Sequence, residues 1–231
     1  MLDGTSKEPS PMNLSSLRIT LGAVSLGVLL LACDNDPAKG KTVATVSAPV
    51  TSAPTVTAAT APTAGSASYT FSNDGSQVAF VGAKITGKHD GSFGAFKGTA
   101  SVPDGDLTKA QVKVEIDTAS VTTDAEKLTG HLKSADFFDV AKFPKATFTT
   151  TSIKAGGDKG ATHTVTGNLD LHGVTKSITF PATIKVVGDG LEVDAEFAIN
   201  RKDFQLVYPG KPDDLIKDDV LLKLKVRGKK G

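Results

Sequence analysis

From Val112 to Val226 apolar side chains recur at every second position, and that period restricts the chain more than any other feature. Val112, Val114 and Ile116 fall on one side, with Lys113 and Glu115 on the other. The same alternation sets Val165, Leu169 and Leu171 against Thr166, Asn168 and Asp170, and continues through Ile178, Phe180, Ala182, Ile184 and Val186. Leu191, Val193, Ala195, Phe197 and Ile199 repeat it, and Val220, Leu222, Leu224 and Val226 close it against Lys223, Lys225 and Arg227. Successive side chains of a strand point to opposite faces, so these runs are half-buried antiparallel strands. Asp74-Gly75, Asp90-Gly91, Asp104-Gly105 and Asp189-Gly190 supply the positive φ of tight hairpins, so short connections are expected at all four.

One stretch breaks the period. Thr123 followed three residues later by Glu126 has the spacing of a capping box. Ala125, Leu128 and Leu132 then fall at i, i+3 and i+7, the apolar stripe of a short helix. The stripe runs into Phe137, Phe138, Val140 and Phe143, a dense aromatic cluster in a chain with 11 Phe, 2 Tyr and no Trp. Pro144 ends any helix, since it lacks a donor and biases Phe143 toward extended geometry. The fold class is therefore all-β: a closed antiparallel eight-stranded barrel of the up-and-down kind, with a short helical insert near residues 123–140 that closes or lines one end. A two-sheet sandwich is the alternative.

Residues 1–33 form a targeting segment. Arg18 precedes an apolar run from Ile19 to Leu31, short of the ~20 residues that span a bilayer. It ends in Leu30-Leu31-Ala32-Cys33, which resembles a bacterial lipoprotein lipobox, so Cys33 is the expected lipidation site. Met12 is an alternative start, because the residues before it add polar groups that no signal peptide needs. The expected location is a bacterial cell membrane, reached by export and held through the lipid anchor, with the domain facing the periplasm. Cys33 is the only cysteine, so the folded part has no intrachain disulfide to rely on. Residues 34–68 shift to Ala, Thr, Ser, Val and Pro, with Pro37, Pro49, Pro54 and Pro62 spaced through them; such a stretch buries no core and is expected to be a disordered tether. Residues 69–231 then make one folded domain.

Context removes the sharper chemistries. Gly82 to Lys88 fits GxxxxGK, but His89 stands where a P-loop needs Ser or Thr, and Asp90-Gly91 follows where a phosphate-cradling helix belongs. His89, His131, His163 and His172 show no local ligand spacing and no thiolate is available, so no metal is expected and each histidine is assigned a structural or solvent-facing place. No Gly-x-Ser-x-Gly elbow or triad arrangement occurs, so no catalytic residue is assigned. With 26 basic and 25 acidic side chains, no single-sign field marks nucleic acid as a partner.

Leu169 to Lys176, LDLHGVTK, together with Ile116-Asp117, Ser120-Val121, the His131 to Pro144 stretch and Phe148, resembles the YceI family of lipocalin-like, polyisoprenoid-binding proteins. Asn200 to Phe204 resembles that family's late Arg-x-Asp-Phe element, and the resemblance covers Tyr69 to Lys225. Two departures stand near the expected mouth and turns: Leu128-Thr129-Gly130 where many members carry Arg-Asp, and Gln205 where Gly often follows. The resemblance implies a lipocalin-like barrel that binds, stores or transports a long isoprenoid lipid, such as a quinone, near a membrane. It implies no catalytic residue, no metal and no cofactor beyond the bound lipid. The expected ligand contacts are Phe80, Val114, Ile116, Leu128, Leu132, Phe137, Phe138, Phe148, Leu169, Leu171, Phe180 and Phe197. Two other functions stay open: a surface or periplasmic interaction domain whose barrel is filled by its own side chains, and an enzyme acting on such a lipid.

Overall fold

The structure, a computed structural model, describes residues 35–51 and 65–231; Cys33 with its lipobox lies outside them. In chain order the strands are β1 (Thr45–Ser47), β2 (Ser66–Ser72), β3 (Gln77–Lys84), β4 (Gly87–Phe93), β5 (Phe96–Pro103), β6 (Gln111–Asp117) and β7 (Val121–Thr123). Helix α1 (Glu126–Lys133) leads by a long connection to β8 (Lys145–Ala155), β9 (His163–Leu171), β10 (Val174–Val187) and β11 (Gly190–Asn200). The two-residue strands β12 (Gly210–Lys211) and β13 (Asp214–Leu215) sit in the loop before β14 (Asp219–Lys230).

The first six barrel segments pair up end to end. β2 and β3 are one course along β14, with Thr70 opposite Lys229 and Val81 opposite Leu221. β4 pairs β3 and β5 pairs β2; β7 pairs β4 and β6 pairs β5. β8, β9, β10, β11 and β14 follow, each antiparallel to its neighbour, and β14 returns to the first course. Eight antiparallel courses thus close the barrel that the alternation predicts. The apolar set faces inward: Ile178, Phe180, Ala182 and Ile184 are all buried, while Val186 at the hairpin end is exposed.

Three neighbouring courses kink at one level. The Gly94 N–H donates to the Ser120 carbonyl (3.1 Å) and the Ala95 N–H to Ser120 Oγ (3.0 Å). Asp117 starts a turn of 3-10 helix at Thr118–Ser120 by accepting the Ala119 N–H (2.9 Å). Thr118, buried, donates its hydroxyl to the Phe143 carbonyl (2.7 Å) and so pins the α1–β8 connection to the kink. Beyond it β3, β4 and β7 continue as an extension against which α1 packs.

Three local expectations are corrected. Asp104-Gly105 is a turn with both residues at positive φ, Asp74-Gly75 breaks the first course, and Asp189 sits in a turn whose positive φ belongs to Gly188. Asp90-Gly91, however, lies inside β4; the Phe80 ring crosses Gly91, 2.2 Å from where a Cβ would stand, so glycine is there for space and not for a turn. The capping box is not formed. Thr123 is still paired with Gly91 in the sheet, so the helix starts later, from Ala125 as N-cap without a side-chain cap, and the Thr123 N–H donates to Thr129 Oγ1 (2.9 Å). Finally, residues 42–47, expected in the tether, lie in the barrel wall as β1 and its lead-in, and residues 66–68 already belong to β2. Their short Thr-Val-Ala-Thr-Val alternation meets free strand edges on β10 and β11, and pairing there outweighs the surrounding tether-like composition.

Candidate functional site: an apolar tunnel along the barrel axis

The inward faces enclose a cavity of about 470 Å³. It runs from a level at Val112, Ile153, Ile184 and Leu191 up to Lys84 and His89 beside the β3–β4 hairpin. The volume falls in the ~300–1,000 Å³ range of sites that bury a small organic ligand. Of 37 lining residues only Lys84, His89, Thr150 and Arg201 carry polar side chains.

The interior stays open because its aromatic rings lie along the wall. Phe71 crosses Gly98, Phe80 crosses Gly91 and Phe148 crosses Gly167; a Cβ on these glycines would come within 2.2, 2.2 and 2.4 Å of ring atoms. A ring laid over a glycine on the next strand occupies the space of the missing side chain rather than the lumen. Phe180 and Phe197 stack across the wall at 4.1 Å between centroids, and Phe148 tilts against Phe180 at 5.8 Å.

The upper end is built from three connections. α1 presents Leu128 and Leu132, and the turns after it present Phe137 and Phe138. These pack with Phe80, Phe93, Val121, Tyr208 and Ile216 as a second apolar cluster, which meets the main core at Phe138. The loop at 205–218 contributes Leu206 and Ile216, held by buried Arg201: its guanidinium donates to the carbonyls of Leu206, Ile216 (3.5 Å) and Lys217 (3.1 Å) and approaches Asp218 Oδ1 (3.4 Å). Burial pulls the Arg201 pKa down, and the Asp218 carboxylate opposes that shift.

At the rim, Lys84 pairs with Asp214, which also accepts the Thr86 N–H and hydroxyl (each 3.0 Å to Oδ1). The Lys84 hydrogen bond is the main reason that the Asp214 carboxyl is held below the usual carboxylate range. His89 Nδ1 meets Asp124 Oδ1 at 2.8 Å, and that bond lowers the Asp124 pKa in the same way.

All twelve residues expected to contact ligand line this one cavity. Val112, Val165, Ile178, Ile184, Leu191, Val193 and Ile199 line it too and stand on the same alternating faces, so the period alone identifies them. Leu206 and Ile216 escape sequence reasoning, because residues 205–218 have no period and their inward placement depends on the buried guanidinium of Arg201, which the sequence offers only as part of the late Arg-x-Asp-Phe element. The GxxxxGK segment is the β3–β4 hairpin and not a phosphate loop. His131 Nε2 meets Asp136 Oδ2 at 2.8 Å between the rings of Phe137 and Tyr208, and His172 packs on Phe143. Among the described residues no three His, Cys, Asp or Glu side chains gather as a metal site. A second, open cleft lies on the outer sheet face, where Asp194, Glu196, Lys223 and Lys225 line it together with Asp90 and Asp124.

The YceI-like domain model matches residues 69–227. Protein YceI of Salmonella arizonae (strain ATCC BAA-731 / CDC346-86 / RSK2980) and of Salmonella newport (strain SL254) are each 41% identical over 122 residues, which cover 50% of this chain and 62% of theirs. The match thus spans less than two thirds of those relatives. Among solved structures, Burkholderia cenocepacia BcnA superposes with a TM-score of 0.60 at 24% identity, over 67% of this chain and 97% of BcnA. A polyisoprenoid binding domain from Saccharophagus degradans implicated in plant cell wall breakdown does so with 0.55 at 18% identity, over 71% and 98%. At those identities the likeness is one of fold. With a family model covering most of its length and a barrel of the same architecture, this chain belongs to the YceI-like family.

Proposed function

We propose that the barrel binds one long isoprenoid lipid, such as a prenyl quinone, and stores or carries it without changing it, at a bacterial membrane to which lipidated Cys33 anchors the chain. The observation that carries this reading is the continuous apolar lumen: 33 of its 37 lining residues offer no polar side chain. Each methylene moved from water into such a lumen gains ~0.8 kcal/mol, so a few isoprene units outweigh the ordering cost of binding. Family membership and the fold shared with a polyisoprenoid binding domain support the same ligand class.

The polar lining groups favour holding over chemistry. Thr150 Oγ1 accepts the Val112 N–H (2.8 Å), Arg201 is engaged by loop carbonyls, and His89 is engaged by Asp124. None is paired as nucleophile and base. The open lumen likewise speaks against a barrel filled by its own side chains.

Mass spectrometry of an organic extract from purified full-length protein, and of protein incubated with prenyl quinones, tests this. About one unchanged lipid per barrel is expected. A new product would make the protein an enzyme, and failure to retain any prenyl lipid would return it to the interaction-domain reading. Replacing Cys33 by Ser should move the protein from the membrane to the soluble fraction, since stable anchoring needs about two acyl chains; undiminished membrane association would rule out an anchor at that residue.

A further inference from the structure

The barrel wall has a seam, and residues from before the family's domain fill it. β10 and β11 pair only from Thr183 opposite Asp194 to Val187 opposite Gly190. Above that level β11 continues to Asn200 paired with β14 on its other edge, and leaves the upper part of β10. β1 lies in the gap. Thr45, Val46 and Ser47 stand opposite Thr179, Ile178 and Ser177 of β10. On the other edge the Ala44 N–H donates to the Ala198 carbonyl (2.8 Å), and the Ala198 N–H donates to the Thr42 carbonyl (2.9 Å). This short strand therefore hydrogen-bonds to both neighbours.

Its inward side chains are small. Ala44 is buried and Val46 packs against the main core, on the face that Ile178 shares. Val43 is half exposed, and Thr45 and Ser47 face water. At the ends the Asn168 side chain exchanges two hydrogen bonds with the Val50 backbone (3.0 Å each), Lys41 pairs with Glu196, Lys159 donates to the Gly40 carbonyl, and Ala38 in the lead-in is buried. The β9–β10 ladder, by contrast, runs unbroken from Val174 to Ala182. The strap also precedes residue 69, where the family match begins, and the eight-course ring closes without it.

We propose that residues 42–47 form a displaceable gate over a side opening of the lipid cavity, between β10 and β11. This rests on the lipid-binding reading above. Ile178 on one edge of the seam, and Phe197 and Ile199 on the other, line the cavity, whereas Ala44 and Val46 of the strap do not. Peeling the strap therefore bares a seam that the stacked Phe180 and Phe197 rings still span, and a side passage to the tunnel opens when those rings part. A long chain leaving by the Lys84–His89 mouth must slide its whole length past the wall. Through a side seam it leaves at once. Short, exposed strands with few buried apolar contacts belong to the part of a fold that opens locally without global unfolding, and the edges so bared can hydrogen-bond to water.

A disulfide across the seam tests the gate. Thr42 and Ala44 direct their backbone groups at β11, so Val46 and Ile178 form a non-hydrogen-bonded pair, whose closer approach suits a disulfide. In a Cys33→Ser background the variant Val46→Cys/Ile178→Cys is loaded with all-trans-retinol, a fluorescent isoprenoid alcohol, and mixed with phosphatidylcholine vesicles. Release is expected to be at least ~tenfold slower oxidised than reduced, because the lock removes the open population. Equal release rates overturn the gate while leaving the carrier reading intact. Hydrogen exchange on the apo-protein, without the engineered cysteines, tests the gate with no ligand at all. The Ala44 and Ala198 amides are expected to exchange well before those of Val165 and Leu169. If they exchange only with global unfolding the gate is overturned, and if they open early while retinol never binds, the gate stands and the carrier reading falls.

Discussion

Glycines set the bore of this barrel. At Gly167 an added Cβ would meet Phe148 Cζ at 2.4 Å and the Thr149 carbonyl oxygen at 2.6 Å. The ring can shift only into the lumen, and the carbonyl is backbone. Gly167→Ala should therefore destabilise by about 1–3 kcal/mol, the usual range for overpacking. Gly82→Ala, where nothing lies within 4 Å, should stay within ~0.5 kcal/mol. Urea unfolding midpoints of the two variants check this, and similar losses would mean that the rings do not rest on the glycines. None of this is legible in the sequence, because which ring covers which glycine is a property of cross-strand register. A second residue-scale outcome concerns acid. Hydrogen bonding from Lys84, then from Thr86, keeps the folded-state pKa of Asp214 below its unfolded value. Its contribution is thus present above about pH 4 and is lost as pH falls through the folded value. Melting temperatures from pH 7 to 2 should fall less steeply for Asp214→Asn than for the natural chain. Asp214 is half-buried but its partner Lys84 reaches solvent, so the difference is small and shrinks with salt.

Elements differ in how much of them a sequence can announce. The strands are plain because each carries its own period, and the helix existence is plain from Leu128 and Leu132. Its start is not. Thr123 and Glu126 have capping-box spacing, but β7 claims Thr123 by pairing it with Gly91, a tertiary demand that local spacing does not contain. Thr129 serves instead, accepting the Thr123 N–H and contacting Thr123 Oγ1 at 2.9 Å. Thr129→Ala should accordingly cost about 0.5–2 kcal/mol, as loss of a capping side chain does, while Glu126→Ala should be close to neutral. The reverse order of losses in thermal melts would restore the capping box. β1 was hidden for a related reason. Its few alternating residues sit in a window whose composition says tether, and only the gap between β10 and β11 gives them a partner.

At the scale of the whole molecule, alternation specifies a closed wall but says nothing of what fills it. Inward Phe, Leu and Val satisfy a packed core and an open tunnel equally well, so the lumen becomes visible only once ring placement is known. The two cases separate by mutation. Phe197 is 1% exposed and stacks on Phe180, so Phe197→Ala removes packing on several sides and should cost about 3–5 kcal/mol. Phe148 is only half-buried and faces the cavity beyond its contact with Gly167, so Phe148→Ala should cost the empty protein clearly less. Ligand then distinguishes wall from core. A lipid that binds only the folded state at ~100 times its Kd adds ~2.7 kcal/mol of stability. Retinol at that excess should stabilise the natural chain by this amount and the Phe148→Ala protein by less at the same concentration. Leu169→Asp places a carboxylate on the lumen wall, where ionisation without a partner is unfavourable, and should abolish the retinol increment in protein that circular dichroism shows to be folded. An undiminished increment in that variant would place the lipid outside the barrel.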